Sequence, residues 1–170
     1  MVPLTWAHAV EPAETPKMSA SESVGHGFDD VHPVTVLFVD DEPRYVQAYV
    51  DDLRLAGITV HVAATVGNAL SLFEQHRNRI DVLITDLIII YDDVFSEAET
   101  NACRETGRVL FEAIRSTAPA LPVVVFTNAT DRESLHKITR QPNCWLVSKQ
   151  DEVPRVLTRL VKTIACGLPT

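Results

Sequence analysis

Asp40 and Asp41, Asp86, Thr127 and Lys149 are the residues of this chain whose types and places could do chemistry, because each follows a short apolar run. Asp86 is the sharpest of them. It sits inside VLITDLIII, with apolar residues on both sides. A carboxylate buried in such company without a partner protonates or finds a cation. If the five side chains meet, three carboxylates repel one another and call for a hard cation with oxygen ligands, which suits Mg²⁺. Lys149 and Thr127 are then free to address a second anion beside the metal. A metal, a fixed cation and a hydroxyl donor around spreading negative charge are what phosphoryl transfer needs.

Taken singly, each residue has a plainer reading. Asp40-Asp41 could cap the helix that Pro43 opens, Thr127 a loop, and Lys149 could be solvated. Asp86 could simply begin a loop. His76 and His136, near helix ends, read as solvated. Asp92, Asp93, Glu97 and Glu99 read as a solvated loop face.

The elements decide whether these residues meet. Val34 to Val39 is a continuous apolar run rich in β-branched residues, the pattern of a strand covered on both faces. Pro43 suits a first helical turn, Tyr45, Val46, Tyr49, Val50 and Leu53 recur at helical spacing, and Gly57 closes the helix. A weaker strand over Ile58–Ala64 and a helix marked by Ala69, Leu70 and Phe73 follow. Ile80–Thr85 is the third strand, and Val109, Leu110, Ala113 and Ile114 mark the third helix. Leu121–Phe126 is the fourth strand, with Pro122 tolerable at its start. Thr130-Asp131-Arg132-Glu133 is a capping box for the fourth helix. Cys144–Val147 is the fifth strand, and Pro154 opens a last helix with Val156, Leu157, Leu160, Val161 and Ile164 on one face. Strands alternating with helices five times predict an α/β fold, a parallel sheet with helices on both faces. Ligands bind such sheets at the C-terminal strand ends, where Asp40, Asp41, Asp86, Thr127 and Lys149 all fall.

Composition fits one ordinary domain with some surplus: 170 residues, 46% hydrophobic and 22% charged. A formal charge of −8, a pI near 5.1 and the lack of a dense Lys/Arg cluster argue against a nucleic-acid surface. No apolar run reaches the ~18 residues that membrane insertion needs. No basic segment precedes an apolar one at the N-terminus, so secretion is not expected and the cytoplasm is. Cys103, Cys144 and Cys166 form no CxxC pair and read as reduced thiols. Residues 1–33, with Pro3, Pro12, Pro16 and Pro33 and no sustained period, read as a flexible arm in which Met18 is an alternative start. The domain itself is expected over 34–166, with an insertion at about 89–106 and a tail at 167–170.

In this order and at these strand ends, Asp40-Asp41, Asp86, Thr127 and Lys149 resemble the receiver domain of two-component response regulators. The resemblance covers roughly Val34 to Ile164. It implies the flavodoxin-like strand order 2-1-3-4-5. It also implies an aspartyl phosphate on Asp86, taken from a histidine kinase or a histidine phosphotransfer protein. Mg²⁺ would be held by Asp40, Asp41, Asp86 and the backbone carbonyl of Ile88. Lys149 would pair with the phosphoryl group and the Thr127 hydroxyl would swing in to hold it. The signal would then pass to a downstream protein, with a homodimer left open. On this reading the chain is a signalling domain that catalyses only its own phosphorylation and dephosphorylation.

Four features depart from the family. The glycine usual shortly after the acceptor matches Gly107, 21 positions after Asp86. Gln150 stands where a proline usually follows the lysine. Leu146 takes the switch aromatic's place, beside Trp145, and the bulkier Asn128 follows the hydroxyl where a small residue is usual. Two other classes remain for comparison. A pseudo-receiver would use the same fold for protein binding without phosphorylation, which the complete residue set opposes and the long insertion favours. A haloacid dehalogenase-type phosphatase requires D-x-D, but Ile88 stands two past Asp86 and Glu42 two past Asp40, so that class fails.

Overall fold

The computed structural model describes residues 33–89, 106–129, 132–150 and 152–167. The expected arm up to residue 32, most of the insertion, the first two residues of the expected capping box and the last three residues of the tail lie outside this set.

Five strands form one parallel sheet in the order β2-β1-β3-β4-β5. They are β1 (Thr35–Val39), β2 (Thr59–Ala63), β3 (Val82–Thr85), β4 (Val123–Thr127) and β5 (Cys144–Ser148). The helices are α1 (Pro43–Leu55), α2 (Val66–His76), α3 (Thr106–Thr117), α4 (Arg132–Thr139) and α5 (Pro154–Ala165). The α/β expectation and the strand order both hold.

Every residue of β1, β3 and β4 is buried, which is why these strands read as unbroken apolar runs. Side chains alternate between two cores. Leu37, Val39, Leu83, Val123 and Val125 pack with α2 and α3, while Val36, Phe38, Ile84, Val124 and Phe126 pack with α1 and α5. Burial on both faces leaves no polar side to read, so strand ends shift slightly from expectation. The third strand starts at Val82 rather than Ile80, and the fourth runs from Val123 to Thr127. Pro122 lies just before that strand, and its carbonyl accepts the Leu83 N–H at 3.0 Å.

Gly57 ends α1 with φ +83°, a conformation that needs no Cβ. Helix α1 is tied to α5 by a 2.6 Å hydrogen bond from the Thr158 hydroxyl to Asp52. His76 is not simply solvated as expected: its ring stacks on that of His61 at 4.2 Å and 14°. His136 is exposed, as expected. No helix of the described residues is long and apolar enough to cross a membrane.

Candidate functional site

Parallel pairing sets the strand ends level along one rim. Thr85 lies opposite both Val39 of β1 and Val125 of β4, and Thr127 lies opposite Ser148 of β5. Residues one step beyond β1, β3 and β5 are therefore close in space. The main chain extends the ladder past the strands: Asp40 N–H donates to the Ala63 carbonyl at 3.0 Å, Asp86 N–H to Val39 at 3.1 Å, and Lys149 N–H to Thr127 at 3.2 Å.

Asp40 divides its two oxygens. Oδ1 accepts the Glu42 N–H at 3.0 Å, a local turn contact at the mouth of α1. Oδ2 lies 2.6 Å from Lys149 Nζ but has no aligned hydrogen-bond partner among the described residues. The residue is wholly buried. The expected cap is not made: Glu42 is the N-cap residue of α1, without a side-chain cap hydrogen bond, and Asp40 instead braces the turn before it and pairs with Lys149.

Asp86 is ringed by donors. Its Oδ1 accepts the Thr127 hydroxyl at 2.6 Å and the backbone N–H groups of Leu87 at 2.6 Å and Ile88 at 3.3 Å. Its Oδ2 pairs with the Lys149 ammonium. The Thr127 oxygen in turn accepts the Ala129 N–H at 3.1 Å. Burial by itself would lower the Lys149 pKa, but the contacts with Asp40 and Asp86 and their negative charges raise it above its ordinary value. Asp41 is pushed up chiefly by burial and further by the charges of Asp40, Asp86 and Glu42, against a lowering by its own backbone N–H.

These donor types fit a hard cation. One oxygen from each of Asp40, Asp41 and Asp86 lies within 4.8 Å of the others. Octahedral Mg²⁺ with bonds of ~2.1 Å spans about 4.2 Å between opposite ligands, so the cluster closes through small shifts or a retained water. Asp40 Oδ2, which now faces the Lys149 ammonium, is the atom such an ion would share. Ile88 stands at the rim with its side chain half exposed, its N–H turned to Asp86.

Gly107 closes the site from below. A Cβ built on it would lie 1.8 Å from the Asp86 carbonyl oxygen, and its N–H donates to the Leu87 carbonyl at 2.9 Å. Only glycine lets the start of α3 come this close to Asp86. Ile89 and Thr106, flanking the insertion, are both buried. Leu146 is 43% exposed, and Trp145 packs toward the α1/α5 core instead. No cis peptide bond occurs among the described residues.

Sequence reasoning missed one contributor to this region. Tyr49 reads as a core position at helical spacing, yet its hydroxyl donates to the Glu152 carbonyl at 2.7 Å. No local pattern marks a contact between residues so far apart in sequence.

No family model matches the sequence, and comparison with curated proteins gives no match. Solved structures do match. The chemotaxis response regulator CheY4 of Vibrio cholerae is 25% identical, with a TM-score of 0.59 over 78% of this chain and 98% of that one. A response regulator receiver domain protein from Clostridium thermocellum is 18% identical, with a TM-score of 0.63 over 79% and 95%. The receiver domain of the stress response regulator RcsB from Escherichia coli is 20% identical, with a TM-score of 0.60 over 80% and 95%.

Proposed function

We propose that this chain, which has the fold of response regulator receiver domains, accepts a phosphoryl group on Asp86 in a two-component phosphorelay. One observation carries the reading: Thr127, Leu87, Ile88 and Lys149 all aim donors at the carboxylate of Asp86. Those donors would stabilise three oxygens of a transferring phosphoryl group as well as they now satisfy two of a carboxylate.

The donor is a phosphohistidine of a kinase or a phosphotransfer protein. An Asp86 oxygen forms the new O–P bond while the donor's P–N bond breaks. The electron pair goes to the imidazole nitrogen, and the ring, protonated on its other nitrogen, leaves neutral. Asp40, Asp41, the second Asp86 oxygen and the Ile88 carbonyl would hold Mg²⁺. When bound, the ion supplies positive charge to the phosphoryl oxygens and to the carboxylate cluster. Lys149 moves from pairing two carboxylates to pairing the phosphoryl group, which keeps its charge compensated throughout. Thr127 needs only to exchange one anionic oxygen for another. The product signals to a downstream protein in the cytoplasm.

Intact-mass measurement after exposure to acetyl phosphate and Mg²⁺ tests the reading. One phosphoryl group is expected on the wild type, none without a divalent ion and none on Asp86→Asn. An unchanged mass with every donor would favour a pseudo-receiver that binds its partner without phosphorylation. The aspartyl phosphate should persist for many minutes, because Ile88 and Ala129 offer no side-chain polar group to position a hydrolytic water. Loss within seconds in the purified protein would remove that expectation.

A further inference from the structure

Lys149 leaves the sheet from an edge strand, and two long hydrogen bonds are what its own turn shows among the described residues. Lys149 N–H reaches Thr127 at 3.2 Å and Gln150 N–H reaches Ser148 Oγ at 3.3 Å. No proline follows to fix a backbone angle. Opposite this turn stands Tyr49 in the second turn of α1. Its hydroxyl donates to the Glu152 carbonyl at 2.7 Å and lies 3.4 Å from the Lys149 carbonyl, so it addresses both sides of the turn. Its ring meets Phe126 nearly edge-on, with centroids 4.8 Å apart. Phe126 in turn lies 5.9 Å from the Lys149 ammonium. Helix α1 is a firm base for these contacts, since Val46, Val50 and Leu53 are buried and Asp52 is bonded to α5.

We infer that Tyr49 is a positioning residue for Lys149, holding the turn so that the ammonium stays over Asp40 and Asp86. The inference rests on the phosphoryl-accepting reading only for its consequence in catalysis; the contact itself does not need it. Tyr49 touches neither the carboxylates nor any reacting atom. A lysine ammonium ends a flexible four-carbon stem. Fixing both the backbone beneath that stem and the aromatic floor beside it removes most of its freedom. The carboxylates are held by their own strands, so loosening Tyr49 should disturb the cation and leave the metal ligands in place.

Tyr49→Phe separates this role from packing, because the ring stays and only the hydroxyl goes. In Mg²⁺, affinity for beryllofluoride, a phosphoryl mimic that must pair with Lys149, should fall about tenfold, while Mg²⁺ affinity stays close to wild type and the melting temperature drops by no more than one hydrogen bond's worth. In metal-free protein, acylation of Lys149 by an amine-reactive ester, read by peptide mass, should speed up severalfold. Tyr49→Ala, which also strips the ring from Phe126, should speed it further and lower the melting temperature. Lys149 acylated equally fast in wild type and Tyr49→Phe would overturn the inference, as would parallel losses of Mg²⁺ affinity and stability in Tyr49→Phe. A wild type that binds no beryllofluoride would instead defeat the phosphoryl-accepting reading, and the acylation rates would still decide the role of Tyr49.

Discussion

Asp86 and Lys149 form one ion pair, yet the two ends of that pair are held by different means. Asp86 follows β3, which pairs with β1 on one side and β4 on the other. Its N–H continues the ladder, and Gly107 packs against its carbonyl. Lys149 follows β5, which pairs with β4 alone. Its place depends on a side chain that reaches across from α1. A central strand positions its last residue by main chain on both sides; an edge strand has half that support and borrows the rest. Asp86 is therefore the stiff partner and Lys149 the adjustable one. That division suits the proposed phosphoryl transfer, in which the cation changes anions and the carboxylate stays in place.

Breaking the adjustable end should cost most. Lys149→Met leaves Asp40 and Asp86 as buried carboxylates without their cation, and removing one member of such a pair costs about 3–5 kcal/mol. Urea unfolding in chelator should show that loss, and Mg²⁺ should restore much of it. Mg²⁺ should also bind the variant more tightly, since no ammonium competes. In the wild type, the raised Lys149 pKa means that its stabilisation is complete below the ordinary value of 10.5 and fades as pH climbs through the higher folded value. Unfolding curves taken from neutral to strongly alkaline pH should show this fading, and Lys149→Met should lack it.

Breaking the stiff end comes next. Gly107→Ala drives a methyl group into the Asp86 carbonyl, and overpacking against backbone costs about 3 kcal/mol. Phosphorylation, if the proposed reading holds, should fall with stability here, because the main chain of Asp86 must shift. Normal stability together with normal phosphorylation would show that α3 can retreat and that the β3 end is less stiff than its contacts suggest.

The acidic cluster should respond in opposite senses. Asp41→Asn relieves repulsion from Asp40, Asp86 and Glu42, so the metal-free protein should melt slightly higher while Mg²⁺ affinity drops in a titration. Unchanged affinity would reduce Asp41 to a bystander.

The smallest effect belongs away from the rim. His61 is lowered by burial and then by the neighbouring His76. The native state thus prefers the neutral imidazole, and its contribution is present above the ordinary value of 6.5 and lost as pH falls toward the lower folded value. A mildly acidic melting series should show a small drop that His61→Gln flattens.

Much of the molecule was legible without coordinates. VLFV, VLIT and VVVF are apolar enough to require cover on both faces, and alternation with amphipathic helices leaves a parallel sheet as the economical arrangement. Parallel strands put their last residues on one rim, so Asp40, Asp86, Thr127 and Lys149 could be gathered from position alone. Exact strand ends were less legible, since two buried faces erase the polar–apolar alternation that marks a boundary.

Residue type and order along the chain thus determined the sheet, the rim and the chemistry of the five side chains, because hydrophobic periodicity and strand direction are local properties. Tertiary structure alone decided that Asp40 splits its oxygens between a turn and a cation, that Gly107 returns to the Asp86 carbonyl, and that His61 stacks on His76. It also decided that a tyrosine from α1 holds the turn of Lys149. Apart from the local turn at Asp40, each of these is a contact between segments distant in sequence, and such contacts have no period, spacing or propensity by which a chain can announce them.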